Sequence, residues 1–255
     1  MPEGYTSDSL TNNEIGWKTE WFDHRLQWNG AVYRENWNNV QVSFLQPSLT
    51  GNVTFDTNGQ DFEVRGFETS LLAVVARGLT LQASGSWNHS EQTNSPQLIN
   101  GNPLSVNYGK PITETCLTLP CTPVTNPYGA IGSPTASSPP LQFSLRLRYE
   151  FALGDYQSFV QASAAHSGHS FTQAGSNPTV TAQGFVSTTR LRFEDPAFTN
   201  IDAAVGIAKD AWNAQLYAEN LANSNTSLFT NADQYIVAQT PMHPRVIGVK
   251  IGYSF

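Results

Sequence analysis

Few side chains in this sequence have the chemistry to act as reagents. Cys116 and Cys121 lie in a Pro/Thr/Ser-rich stretch with four residues between them. That is enough chain to close a small disulfide loop in an oxidising compartment; in a reducing one they would be two free thiols. A metal site there would lack donors, since no other cysteine exists and no histidine is nearby. The histidines are His24, His89, His166, His169 and His243. His166 and His169 are three apart, which in a strand puts them on opposite faces, so a shared metal ion is not expected. No Gly-x-Ser-x-Gly elbow is present, and no serine, histidine and acid converge in one motif. The expectation is a protein that is not an enzyme, with no catalytic residue, no metal and no cofactor.

Composition then asks what else the chain does. Of its 255 residues, 39% are hydrophobic, 11% aromatic and 13% charged, where about a quarter charged is usual for a soluble domain. Mean hydropathy is nonetheless −0.32, because Asn, Gln, Ser and Thr supply the polarity. Low charge, abundant neutral polar groups and many aromatics suit a barrel with an apolar outside and a wet inside. A net charge of −7 argues against nucleic acid as a partner, since no basic stripe can neutralise phosphates. No apolar run of 18 residues exists, so no transmembrane helix is expected. The start, Met1-Pro2-Glu3-Gly4-Tyr5, has neither the basic nor the apolar region of a signal peptide. An exported chain would carry its signal upstream and be a fragment.

The elements that must position these residues read as strands. Leu141, Phe143, Leu145, Leu147, Tyr149, Phe151 and Leu153 alternate with Gln142, Ser144, Arg146, Arg148, Glu150 and Ala152, giving one apolar and one mostly charged face. Comparable alternation predicts nine strands, at 14–23, 25–36, 61–76, 79–91, 141–153, 156–168, 197–210, 212–222 and 244–255. Tight turns are expected at Asp23-His24, Arg77-Gly78, Gly154-Asp155 and Ala211. Long links fall at 37–60, 92–140, 169–196 and 223–243. Short and long connections in strict alternation are the pattern of an antiparallel up-and-down transmembrane β-barrel, with short periplasmic turns and longer extracellular loops. A sandwich has no reason to sort its links this way. Val40, Val42, Phe44 and Leu45 predict a short hairpin in the first long link. Thr188 to Phe193 is read as an outward extension of the seventh strand, beyond Asp195-Pro196.

On these strands Lys18, Glu20, Glu68, Arg146, Arg148, Glu150, Asp202, Glu219 and Lys250 would face the lumen. Trp17, Trp21, Trp28, Trp87 and Trp212 would form an interfacial girdle. Trp37, Tyr108, Tyr128, Phe171, Phe185, Phe229 and Tyr235 fall in the long links, available to a ligand or to one another. If the final strand ends in the periplasm, all four tight turns lie there and the cysteine loop lies outside.

The last strand carries Ile247, Val249, Ile251 and Tyr253 at every second position and ends on Phe255. It resembles the C-terminal signal of bacterial outer-membrane proteins, which the barrel-assembly machinery reads. Four further segments resemble TonB-dependent receptors, in order and over nearly the whole chain. They are Glu14-Ile15-Gly16-Trp17-Lys18-Thr19, Arg65-Gly66-Phe67-Glu68, Trp212 through Asn220-Leu221-Ala222-Asn223, and Pro244-Arg245 before the last strand.

The resemblance implies that residues 1–255 are the C-terminal part of such a receptor's barrel, the last nine of 22 strands, lodged in outer-membrane lipid. The parent protein would import a scarce solute, such as a ferric siderophore, using energy from TonB through a plug domain. The chain departs from the family in having no plug, no TonB box and no first half of the barrel. A passive porin-like barrel and a secreted β-sandwich binding module are the competing readings.

Overall fold

The computed structural model describes residues 4–48, 51–96, 103–104, 106, 108–109, 128–172, 192–231 and 237–254. Nine long strands form one antiparallel sheet: β1 (Ser9–Trp21), β2 (Leu26–Asn38), β5 (Asp61–Ala76), β6 (Leu79–Asn94), β7 (Leu141–Leu153), β8 (Tyr156–Ser167), β11 (Phe198–Lys209), β12 (Trp212–Glu219) and β15 (Val246–Tyr253). Their order in space is their order in sequence, with β1 and β15 at the two ends. The sheet is therefore up-and-down and unclosed, as expected of part of a barrel. Among the described residues it packs against no second sheet, which counts against the sandwich.

Three two-stranded hairpins occupy the long links. They pair β3 (Gln41–Ser48) with β4 (Gly51–Asn58), β9 (Ser170–Phe171) with β10 (Glu194–Asp195), and β13 (Ser227–Asn231) with β14 (Ala238–Pro241). The first is the hairpin expected from Val40 to Leu45. Glu194–Asp195 folds back on Ser170–Phe171 and so forms a separate element. The part of Thr188 to Phe193 read as extending the next strand lies mostly outside the described residues.

The four tight turns fall where the sequence puts them. Three consecutive residues, Phe22, Asp23 and His24, have positive φ, and Asp210 does so at the β11–β12 turn. At the β5–β6 turn Gly78 has φ +77°, and a Cβ there would lie 2.1 Å from the Glu150 carbonyl oxygen. Only glycine meets both conditions.

β1 and β6 run further than the alternation, whereas β12 and β15 stop short of the expected 212–222 and 244–255 because Asn220 turns the chain at positive φ and β15 begins only at Val246. β1 starts at Ser9 and pairs through Asn12↔Glu35 and Asn13↔Arg34; β6 continues to Asn94. Apart from Leu10 opposite Trp37, both faces of these extensions are polar, so period two disappears while the backbone ladder continues.

Large side chains offset missing ones across the strands. Trp17 lies directly opposite Gly30, and its ring packs edge-on to Trp28 at 5.3 Å and stacks on Phe67 at 6.0 Å. A Cβ on Gly30 would sit 2.3 Å from the Trp17 ring and 2.9 Å from the Glu68 carbonyl oxygen. Gly30→Val is expected to destabilise the sheet by about 1–3 kcal/mol through overpacking, read as a lowered midpoint of denaturant unfolding. Gly16→Ala, whose Cβ would meet nothing closer than 3.4 Å, is the matched control and is expected to shift the midpoint far less.

Candidate functional site: an apolar band, a polar wall and a knotted link

The register sorts the sheet into two faces. One row runs Leu26↔Ala73↔Leu81↔Leu147↔Ala162↔Ala203↔Ala218↔Ile247. A parallel row runs Tyr149↔Val160↔Val205↔Leu216↔Val249. Most of the large residues on this face are exposed, among them Ile15, Leu145, Leu147, Val205, Leu216 and Ile247. Between Lys209 at the tight-turn rim and the Arg34–Arg65–His89 row, this face carries no Asp, Glu, Lys or Arg among the described residues. The charge-free stretch is about ten residues per strand. At ~3.3 Å per residue and a tilt near 40° it is roughly 25 Å tall, the height of a barrel's apolar band.

The opposite face is polar. Arg146↔Ser163↔Asp202 and Gln215↔Lys250 are cross-strand neighbours on it. Lys18, Glu20, Glu68, Arg148, Glu150 and Glu219 share it by register, as predicted. Arg148 donates to Glu150 at 2.7 Å and stacks over Phe159 at 3.8 Å, while Arg146 donates to Gln161 at 2.6 Å. A cavity of about 780 Å³ against this wall includes Glu14, Lys18, Glu68, Ser84 and Ser144 in its lining.

The tryptophans divide. Trp21 and Trp212 mark the tight-turn rim, with Trp212 against Tyr253 at 4.7 Å, and Trp87 lies near the other edge opposite Phe67. Trp17 and Trp28 sit within the band, held by each other, by Gly30 and by a Trp28 Nε1 hydrogen bond to Thr69. They pack within the sheet, and Trp28, the third residue of β2, is also exposed.

The remaining candidates disperse. Ile247, Val249, Ile251 and Tyr253 all lie on the apolar face and are exposed; Phe255 is outside the described residues. So are Cys116 and Cys121, Phe185 and Tyr235. Trp37 belongs to β2, where it donates to Asp8 at 2.8 Å, so it is not a link residue. Tyr128 is fully buried against Gly59, and its carbonyl accepts from Gln60; burial raises its pKa. Phe171 lies under the Arg192 guanidinium at 3.6 Å. Phe229 is an exposed residue of β13. No histidine contacts a serine hydroxyl among the described residues: His24 meets Glu20, His89 meets Glu91 and His166 meets Thr199. No cluster of three His, Cys, Asp or Glu able to hold a metal occurs among them.

One constellation escaped the sequence reading. Asn220 is fully buried with φ +47°. Its amide donates to the carbonyls of Ser224 and His243, both at 2.8 Å, and its Oδ1 accepts from Ser224 N at 2.9 Å. Its own N–H donates to Asp202 at 2.9 Å. Asn223, also at positive φ, accepts from Arg245 N at 3.2 Å. Asn-Leu-Ala-Asn and Pro-Arg are thus two halves of one knot that delivers the chain into β15. A pair of asparagines after a strand was the available signal, because asparagine tolerates positive φ and bonds nearby backbone.

Residues 8–221 match the family profile described as TonB-dependent receptor-like, beta-barrel. No curated protein matches the chain. Among solved structures of the same fold, the siderophore receptor PiuA from Acinetobacter baumannii aligns at a TM-score of 0.63 and 19% identity. That alignment covers 96% of this chain and 28% of PiuA. The ferric-catecholate import receptor Fiu from E. coli K12 aligns at 0.61 and 16%, covering 98% of this chain and 28% of Fiu. The ferric yersiniabactin uptake receptor FyuA from Yersinia pestis aligns at 0.62 and 13%, covering 97% and 30%. The chain therefore spans less than a third of the length of each of these three receptors.

Proposed function

The chain belongs to the TonB-dependent receptor-like β-barrel family, and from that premise we propose that it is the C-terminal wall of an outer-membrane receptor that imports a scarce solute. A ferric siderophore is the solute class this reading favours, because the similar receptors are described as importing or binding such compounds. The observation that carries the membrane part is the charge-free band, one hydrocarbon thickness tall, backed by a polar face. In this reading the apolar face meets lipid and the polar face lines the lumen, where a plug supplied elsewhere in the receptor packs and couples to TonB. The unpaired ends of the sheet, β1 and β15, support the proposal that further strands complete the barrel. The row Ile247, Val249, Ile251 and Tyr253, with Phe255, is proposed as the segment read by the barrel-assembly machinery. The tight turns then face the periplasm, and Cys116 and Cys121 lie on the outer side, where a disulfide can persist. Transport requires no covalent chemistry from these residues.

The test is growth under iron limitation. Deleting the receptor's gene is expected to abolish use of one siderophore among a panel, and restoring it to recover that use only in cells with intact TonB. Normal use of every siderophore in the deletion strain would refute the solute class. Uptake independent of TonB would leave a passive porin.

A further inference from the structure

On the apolar face, three successive rows at the far edge of the band differ in kind. The first is apolar: Val32↔Phe67↔Trp87. The next is Arg34↔Arg65↔His89, and the one beyond it is Asn36↔Glu63↔Glu91. Two arginines directly opposite each other repel unless an anion lies between them.

Glu63 lies between them, and Glu91 flanks Arg65. Arg34 meets Glu63 at 2.6 Å; Arg65 meets Glu63 at 3.6 Å and Glu91 at 3.3 Å; His89 meets Glu91 at 3.6 Å. In every pair the arginine or histidine is the more exposed partner. Arg34 and Arg65 are 62% and 55% exposed over Glu63 at 13%, and His89 is 52% exposed over Glu91 at 34%. What projects furthest from the sheet at this height is therefore the pair of guanidinium groups and the imidazole, above the carboxylates that balance the two arginines in charge.

We propose that this row binds the phosphate of a lipid head group whose acyl chains lie along Val32, Phe67 and Trp87. The order of the rows matches the order of such a lipid: chains, then phosphate, then water. Guanidinium groups present forked donors suited to phosphate oxygens. Arg34 has no hydrogen-bond partner besides Glu63 among the described residues, so most of its donors remain for a ligand. The proposal rests on the lipid-facing reading of the band.

The test uses the whole receptor in dodecyl maltoside micelles containing phosphatidic acid or uncharged diacylglycerol, with bound lipid counted by native mass spectrometry. The wild type is expected to retain phosphatidic acid over diacylglycerol. Arg34→Gln/Arg65→Gln is expected to lower that retention about 25-fold, about fivefold per basic side chain at a membrane surface. Because that variant leaves Glu63 without its partners, the triple variant with Glu63→Gln is measured beside it and is expected to lose retention equally. Arg146→Gln/Arg148→Gln removes the same charge from the other face and is expected to retain lipid as the wild type does. Equal loss in that control, or unchanged retention in the triple variant, overturns the site. Displacement by inorganic phosphate at a concentration matched to the lipid also overturns it, because the occupant would be free phosphate. Partition of the wild type into the detergent phase is scored separately. If the receptor stays in water, both the band and the head-group site are refuted; if it partitions but does not retain phosphatidic acid, only the site is.

Discussion

Leu147→Arg is expected to cost about 2–4 kcal/mol of folding stability in a bilayer, the range for arginine on the lipid face near the midplane. Leu147 sits between Arg146 and Arg148 in sequence, yet points the other way. Its cross-strand neighbours are Leu81 and Ala162, whereas those of Arg146 are Gln82 and Ser163. The same side chain is thus native on one face and expelled on the other, so position relative to the sheet is the only variable. Ser84→Arg places an arginine on the polar face opposite Ser70 and Ser144. It is expected to stay within about 1 kcal/mol, as for surface substitutions generally. Unfolding in phospholipid vesicles, followed by tryptophan emission against denaturant, measures both. If the two variants lose stability equally, the band does not face lipid. Aqueous assembly of the whole protein would be the reading left.

The strand sheet was legible because one of its faces is apolar and the other polar. An apolar face backed by a polar one forces period two, with seven apolar-face residues in β7 and four in β15. Tight turns then announce themselves by Gly78, Gly154 and Asp210, all at positive φ. Legibility failed where that constraint lapses. Beyond the band, Asn12, Asn13 and Gln92 continue their strands among polar residues, so nothing in the pattern separates strand from loop there. The short hairpin Ser170–Phe171 with Glu194–Asp195 was invisible for another reason: two residues per strand are too few to show any period.

Side-chain roles were harder to read than faces. The mutual packing of Trp17 and Trp28 was not legible, because aromatic type is shared by girdle and packing positions. What distinguishes them is Gly30, opposite Trp17 in the neighbouring strand, and sequence alone does not give the register that brings it there. The Arg34–Arg65–His89 row was missed likewise. Arg34, Arg65 and His89 are far apart in sequence, and only the pairing of β2, β5 and β6 aligns them. Tyr128, which looked available to a ligand, is buried by the backbone at Gly59.

The knot before the last strand should be the most sensitive single site outside the band. Asn220→Ala removes two donations and one acceptance from a residue with no exposed surface, leaving the Ser224 N–H and the Ser224 and His243 carbonyls without that partner. Each such loss costs about 1–3 kcal/mol when buried, and alanine at φ +47° adds about 1–2 kcal/mol. With partial relaxation the total is expected at about 3–5 kcal/mol. Asn220→Asp tolerates the same φ and keeps the acceptor for Ser224, so it should lose less than the alanine variant. The consequence reaches beyond stability. The β12–β15 ladder begins at Glu219↔Val246, immediately beside the knot, so Asn220 sets where the last strand enters. A slip of one residue there would turn Ile247, Val249, Ile251 and Tyr253 to the polar face. Amide exchange across Val246–Tyr253 is therefore expected to accelerate in Asn220→Ala well before the β7–β8 ladder responds. Uniform acceleration of both ladders would mean that Asn220 contributes only to global stability and does not hold the register of the final strand.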